Sequence, residues 1–114
     1  MKNLRNKVLL IGNLGTDPVI RETSNGNKMA RFPMATSEVV KNKEGGYDKR
    51  TEWHNIVVFG QLANIVESYL NKGKEIAVEG KLSTRSYDDK NGVKRYTTEV
   101  IVSDLVMLSN RSAA

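Results

Sequence analysis

A chain of 114 residues has room for one domain around one hydrophobic core, and 39% hydrophobic with 27% charged residues makes it too apolar for a disordered chain. No cysteine and a single histidine, His54, exclude disulfides, thiolate chemistry and cysteine-ligated zinc, so the chain reads as a binding protein needing neither cofactor nor metal, not as an enzyme. Eighteen Lys and Arg against thirteen Asp and Glu leave a charge of +5, which suits a polyanionic partner, and residues 1–37 hold six basic groups against two acidic ones.

The basic start, Met1 to Lys7, runs into no long apolar stretch with a small-residue cleavage site. No secretory leader or membrane span is expected, and the cytoplasm is the default location. Lys7 to Leu14 is a β-rich run ended by the turn Gly15-Thr16-Asp17-Pro18. Val19 to Thr23 is a short extended segment leading into Asn25-Gly26, a strong reverse-turn pair. Lys28 to Thr36 alternates, with Met29, Phe32 and Met34 apolar; Pro33 cannot donate to a ladder, so an edge position or a nearby bulge is expected. Residues 38–50, charged around Gly45-Gly46, read as a long mobile hairpin loop.

Thr51 to Phe59 is the next strand. Gln61 to Leu70 then carries Leu62, Ile65, Val66, Tyr69 and Leu70 at helical spacing, with Lys72-Gly73 as the stop. Glu75 to Tyr87 alternates with Ile76, Val78 and Leu82 inward, and Asp88 to Gly92 turns into a last strand from Lys94 to about Leu108. This order is not a βαβ alternation. It predicts an all-β fold, a five-stranded antiparallel OB-fold barrel with one helix between strands 3 and 4. The domain is expected over 1–108, followed by a short tail, 109–114.

Thr51–Phe59 places Trp53, Asn55, Val57 and Phe59 on one face and His54, Ile56 and Val58 on the other. Both faces are apolar, so alternation alone allows a strand buried on both sides. It equally allows Ile56 and Val58 inside with Trp53 and Phe59 outward, where rings stack on bases at about 1–3 kcal/mol per base. In Glu75–Tyr87 the inward set turns Glu79, Lys81, Ser83, Arg85 and Tyr87 outward, setting a cation beside a ring. Lys7, Arg21, Arg31 and Lys72 are either backbone-phosphate contacts or plain surface charges. Asp88 and Asp89, beside Asn91-Gly92, read as turn formers. His54 shares a face with Ile56 and reads as a hydrogen-bonded or subunit-contact histidine.

Several stretches follow one another in a telling order: Asn6 to Pro18, Ala35 to Glu38, Thr51 to His54, Phe59-Gly60, Tyr69 to Gly73, Glu79-Gly80 and Arg95 to Val100. From about residue 4 to residue 108 the chain resembles a bacterial single-stranded DNA-binding protein of the homotetrameric OB-fold type. The resemblance implies cooperative, largely sequence-independent wrapping of single-stranded DNA in replication, recombination and repair. It also implies stacking by Trp53, Phe59 and Tyr87, phosphate contacts from Lys7, Arg85 and Lys72, and His54 near a subunit interface. Val8 and Leu10 of the first strand complete the expected subunit contact.

The sequence departs from the family in three places. Val39-Val40 stand where members often carry a tryptophan, and Tyr87 stands for a tryptophan at the hairpin. No acidic residue follows Asp104, so recruitment of other replication and repair proteins by an acidic tail is not carried over. The alternative reading is a replication-restart accessory OB-fold protein acting mainly as an interaction hub.

Overall fold

Among the described residues, alternating apolar residues build six strands and nine residues of helix. The computed structural model describes residues 4–108, and the expected tail at 109–114 lies outside the described residues. In chain order the elements are β1 (Val8–Leu14), β2 (Val19–Glu22), β3 (Lys28–Lys41), β4 (Tyr47–Phe59), α1 (Gln61–Tyr69), β5 (Glu75–Asp88) and β6 (Lys94–Met107). Hydrogen bonding runs in the order β1-β5-β6-β4-β3-β2, and β1 returns to β3 at Asn13↔Ala35 and Leu14↔Met34, which closes a five-stranded barrel. A Cβ on Gly12 would stand 2.1 Å from the Ala35 carbonyl oxygen, so the backbones meet this closely only because glycine is there. With α1 between β4 and β5, the architecture is the expected OB-fold barrel.

The short Val19–Glu22 segment is a sixth strand, paired with β3 from Val19↔Arg31 to Glu22↔Lys28. Pro33 lies just past the end of that pairing and just before β1 joins β3 at Met34. Its carbonyl accepts from the Gly15 amide at 2.9 Å, so its own nitrogen also faces this gap. No ladder position there needs a donor, and the missing N–H of Pro33 costs nothing.

Inside the barrel Phe32, Met34, Ile56, Val58, Ile76 and Val78 are fully buried, with Leu14, Val100 and Val102 beside them. Each such side chain contributes about 1.5–3 kcal/mol. The helix adds Ala63, Val66 and Leu70, an i, i+3, i+7 stripe, while Ile65 and Tyr69 of the same apolar set face out. No helix among the described residues is long and apolar enough to cross a membrane.

The structure departs from the sequence expectation on three points. One ladder is parallel: β4 meets β6 at Asn55↔Glu99, Ile56↔Val100 and Val57↔Ile101, because α1 and β5 carry the chain across before β6 enters alongside β4. Residues 38–50 are not a loop, since β3 and β4 stay paired out to Lys41↔Tyr47. Only 42–46 turn, held by Asn42, whose Oδ1 accepts from the Glu44 and Gly46 amides at 3.0 and 2.9 Å. Leu82 is half exposed rather than inward, because past the register shift at Glu79/Gly80 the β5–β6 hairpin leaves the barrel as a second arm. Val8 and Leu10 pack against the barrel core, while β1 presents Leu9 and Ile11 outward. The two arms explain a radius of gyration of 16.3 Å, against the ~13 Å of a compact domain of about this length.

Candidate nucleic-acid interface

The outer face of β2, β3, β4, β6 and β5 is one continuous wall whose rows can be read from the register. Arg21, Met29 and Phe59 form one row; Val19, Arg31, Val57, Ile101 and Lys81 form the next. Pro33, Asn55, Glu99 and Ser83 follow, and then Ala35 with Trp53. Trp53 is 61% exposed, Phe59 48% and Tyr87 49%, all on this outer side. A buried Ile56 and Val58 beneath them resolve the ambiguity of β4 in favour of outward rings.

Trp53 has a built seat. A Cβ on Gly15 would lie 2.5 Å from Cζ3 of the indole and 3.4 Å from Cγ of Pro33, so the ring edge rests on the glycine backbone of the β1–β2 turn. That turn is tied down by the Gly15 amide on Pro33. Lys72 follows from the next turn over: its backbone amide donates to Asp17 Oδ1 at 2.8 Å, and Gly73 donates to Leu14. Its side chain is exposed.

Arg31 and Arg85 are brought together by a residue absent from the expected set. Glu99 is buried, with Oε2 3.2 Å from Arg31 Nη2 and 3.3 Å from Arg85 Nη2, and Arg85 Nε donates to Oε1 at 3.4 Å. Lys7 is paired with Glu79 at 2.7 Å on the rim of a shallow depression shared with Arg5, Lys81, Ile101 and Ser103. Arg21 is exposed at the opposite edge, in the row of Phe59. The cations thus track across the wall from Arg21 to Lys7. Tyr47 and Val39, both exposed, continue the outward face of β4 and β3 along the first arm.

His54 points inward of this wall and is half-buried, with Nε2 2.9 Å from Thr36 Oγ1. Asp89 is a turn former: its Oδ1 accepts from the Asn91 and Val93 amides, and Arg95 Nε donates to Oδ2 at 2.9 Å. The Arg95 hydrogen bond first, then the Val93 amide, hold its carboxyl below the usual carboxylate range. Among the described residues no cluster of three His, Cys, Asp or Glu could hold a metal ion.

The model of the single-strand binding protein family matches residues 5–108. The chain belongs to that family. It is 49% identical over 109 residues to single-stranded DNA-binding protein 1 of Chlorobaculum tepidum, covering 95% of this chain and 67% of that one. With the single-stranded DNA-binding protein of Bacteroides thetaiotaomicron identity is 46% over 110 residues, covering 95% and 68%. Among solved structures, a Plasmodium falciparum SSB in complex with ssDNA superposes with a TM-score of 0.85 at 35% identity, covering 96% of this chain and 98% of that one.

Two features of this family member's wall escape a reading of strand faces one at a time. Glu99 looks like any surface acid on an alternating strand until the parallel β4–β6 ladder sets it between two arginines. The seat under Trp53 depends on a glycine 38 positions upstream; the pairing of Gly15-Thr16-Asp17-Pro18 with a turn explains its presence but not its neighbour.

Proposed function

We propose that this protein binds single-stranded DNA without sequence specificity, in replication, recombination and repair, and that it does so with no catalytic step. The observation that carries the reading is the set of exposed rings, Trp53, Phe59 and Tyr87, on one wall with Arg31, Arg85 and Lys81, and with Arg21 at its edge. Rings accept any base on their π-faces, which gives sequence tolerance, and the cations take the phosphates. Lys7 and Lys72 extend the phosphate track at either end. Tyr47 lengthens the line of rings on β4, six residues before Trp53 as Phe59 is six after it. Unpaired strands are favoured because a duplex hides its base faces.

The reading includes a homotetramer in the cytoplasm, associated with the nucleoid. Support for self-association comes from the β1 side, where Leu9 is 69% and Ile11 61% exposed and Val106 lies in the row of Ile11 and Ala77. Leu9 and Ile11 face outward while Val8 and Leu10 pack on the core, so the contact is assigned to Leu9 and Ile11 in place of Val8 and Leu10. Light scattering gives the mass.

Titrating the protein with oligo-dT tests the reading directly. Trp53, the single tryptophan, should lose fluorescence as a base covers it. Log K should fall with log salt by about 0.7 per phosphate neutralised. An absence of both quenching and binding at low salt overturns the assignment, and an oligo-rU that binds better than oligo-dT redirects it to RNA.

A further inference from the structure

A surface built for a polyanion has no electrostatic reason to bury a carboxylate in its middle, yet Glu99 sits there with a side chain only 6% exposed. It occupies the row of Asn55 and Ser83 on β6, flanked by β4 and β5. The two guanidinium groups that close on it come from β3 and β5, strands separated by β4 and β6, so one carboxylate spans most of the wall. Both arginines remain open to solvent on their far sides, at 43% and 51%. Arg85 gives its Nε and Nη2 to Glu99 and keeps the Nη1 hydrogens; Arg31 approaches through Nη2 alone. The trio carries a net charge of +1.

We propose that Arg31, Glu99 and Arg85 form one monocationic phosphate site, in which Glu99 is a positioning residue that fixes both guanidinium groups and cancels one of their two charges. The proposal rests on the reading of the wall as a single-strand binding surface. Two consequences follow from the geometry. An arginine already held in place loses little rotamer freedom when a phosphate arrives, so its free N–H groups meet the ligand pre-aligned. And because counterion release counts phosphates neutralised, the trio takes up one phosphate where two free arginines would take up two. Glu99 therefore lowers the salt sensitivity of binding while keeping the two planar donors in register with the stacked rings.

The test is the slope of log K against log salt for oligo-dT, read by Trp53 quenching, in the wild type, Glu99→Gln, Arg85→Ala and the double variant. Circular dichroism checks that each is folded. Glu99→Gln should steepen the slope by about 0.7 and Arg85→Ala should flatten it by about 0.7, the single-strand value per phosphate. The double variant, again a single cation, should return to the wild-type slope. A Glu99→Gln slope unchanged or shallower than wild type overturns the proposal, as does a double variant as flat as Arg85→Ala alone. If Glu99→Gln does not fold by itself, Arg31→Ala with and without Glu99→Gln decides the same question on a neutral pair and a lone cation. A wild type that ignores dT sinks the functional reading and this proposal together; one that binds, with slopes indifferent to Glu99, sinks this proposal alone.

Discussion

The barrel has two outer walls that expose apolar side chains, and they differ in what surrounds them. On the β2–β3–β4–β6–β5 side the exposed groups include the rings Trp53, Phe59 and Tyr87 beside Val19 and Val39, with arginines in the same or neighbouring rows. On the β1 side they are the aliphatics Leu9, Ile11 and Val106, and Leu9 shares its row with Glu79 and Asp104. A nucleic acid is attracted to the first, whereas the second has its Glu79 already paired with Lys7 and offers exposed aliphatics, which suit another protein surface. One strand periodicity serves both; the neighbouring charges distinguish them.

The contrast can be broken from either side. The largest effect is expected from Ile11→Asp, which sets a charge in the aliphatic row and should reduce the assembly to smaller species in light scattering with the barrel still folded. An unchanged mass would mean that β1 is not where subunits meet. Trp53→Ala should lower oligo-dT affinity about fivefold to 150-fold, from roughly 1–3 kcal/mol per stacked base, at an almost unaltered melting temperature. A large drop in melting temperature would instead make the indole a packing residue.

Gly15→Ala sharpens the same point at smaller scale. The new methyl would stand 2.5 Å from the indole, so the ring must leave its seat. Affinity should fall a few-fold, with a shift in tryptophan emission, since the ring stays present but is misplaced. The smallest effect concerns the second arm. Asp89 has a lowered carboxyl pKa, so its ionised form stabilises the turn above the ordinary carboxylate range, and that contribution is lost as pH falls through the lowered value. Thermal melts at about pH 7 and about pH 3 should show slightly less acid destabilisation in Asp89→Asn than in the wild type.

The barrel half of β5 is legible in the sequence because it has one buried side, and burial imposes period two; in β4 alternation sorts the residues into two faces, but with Ile56, Val57 and Val58 all buried it does not say which face turns outward. Ile56 and Val58 inward carry Trp53 and Phe59 outward with them. The arms are not legible in the same way. Between Ser37 and Thr51 neither face is covered, so nothing selects apolar residues at alternate positions, and a paired ladder looks like a charged loop. Leu82 misled for a related reason, since alternation continues past Gly80 although the barrel does not. Val8-Leu9-Leu10-Ile11 is four apolar residues in a row, which marks a strand but cannot say which pair is inside. Glu99 and its two arginines depend on register between distant strands, and no local pattern encodes that.

The parallel rungs at Asn55 to Val57 join residues more than forty positions apart. Loop closure over such a span comes late in folding, because its entropy must be met before the contact repays it. A chain emerging during synthesis can fold the β3–β4 hairpin and α1 while the place beside Asn55 stays vacant. Not until residues 99–101 arrive does the ring-bearing wall exist, and the same residues bring the carboxylate that tethers its arginines. Completion of the barrel and completion of the binding surface are therefore one event, so a chain cut short before Glu99 has neither.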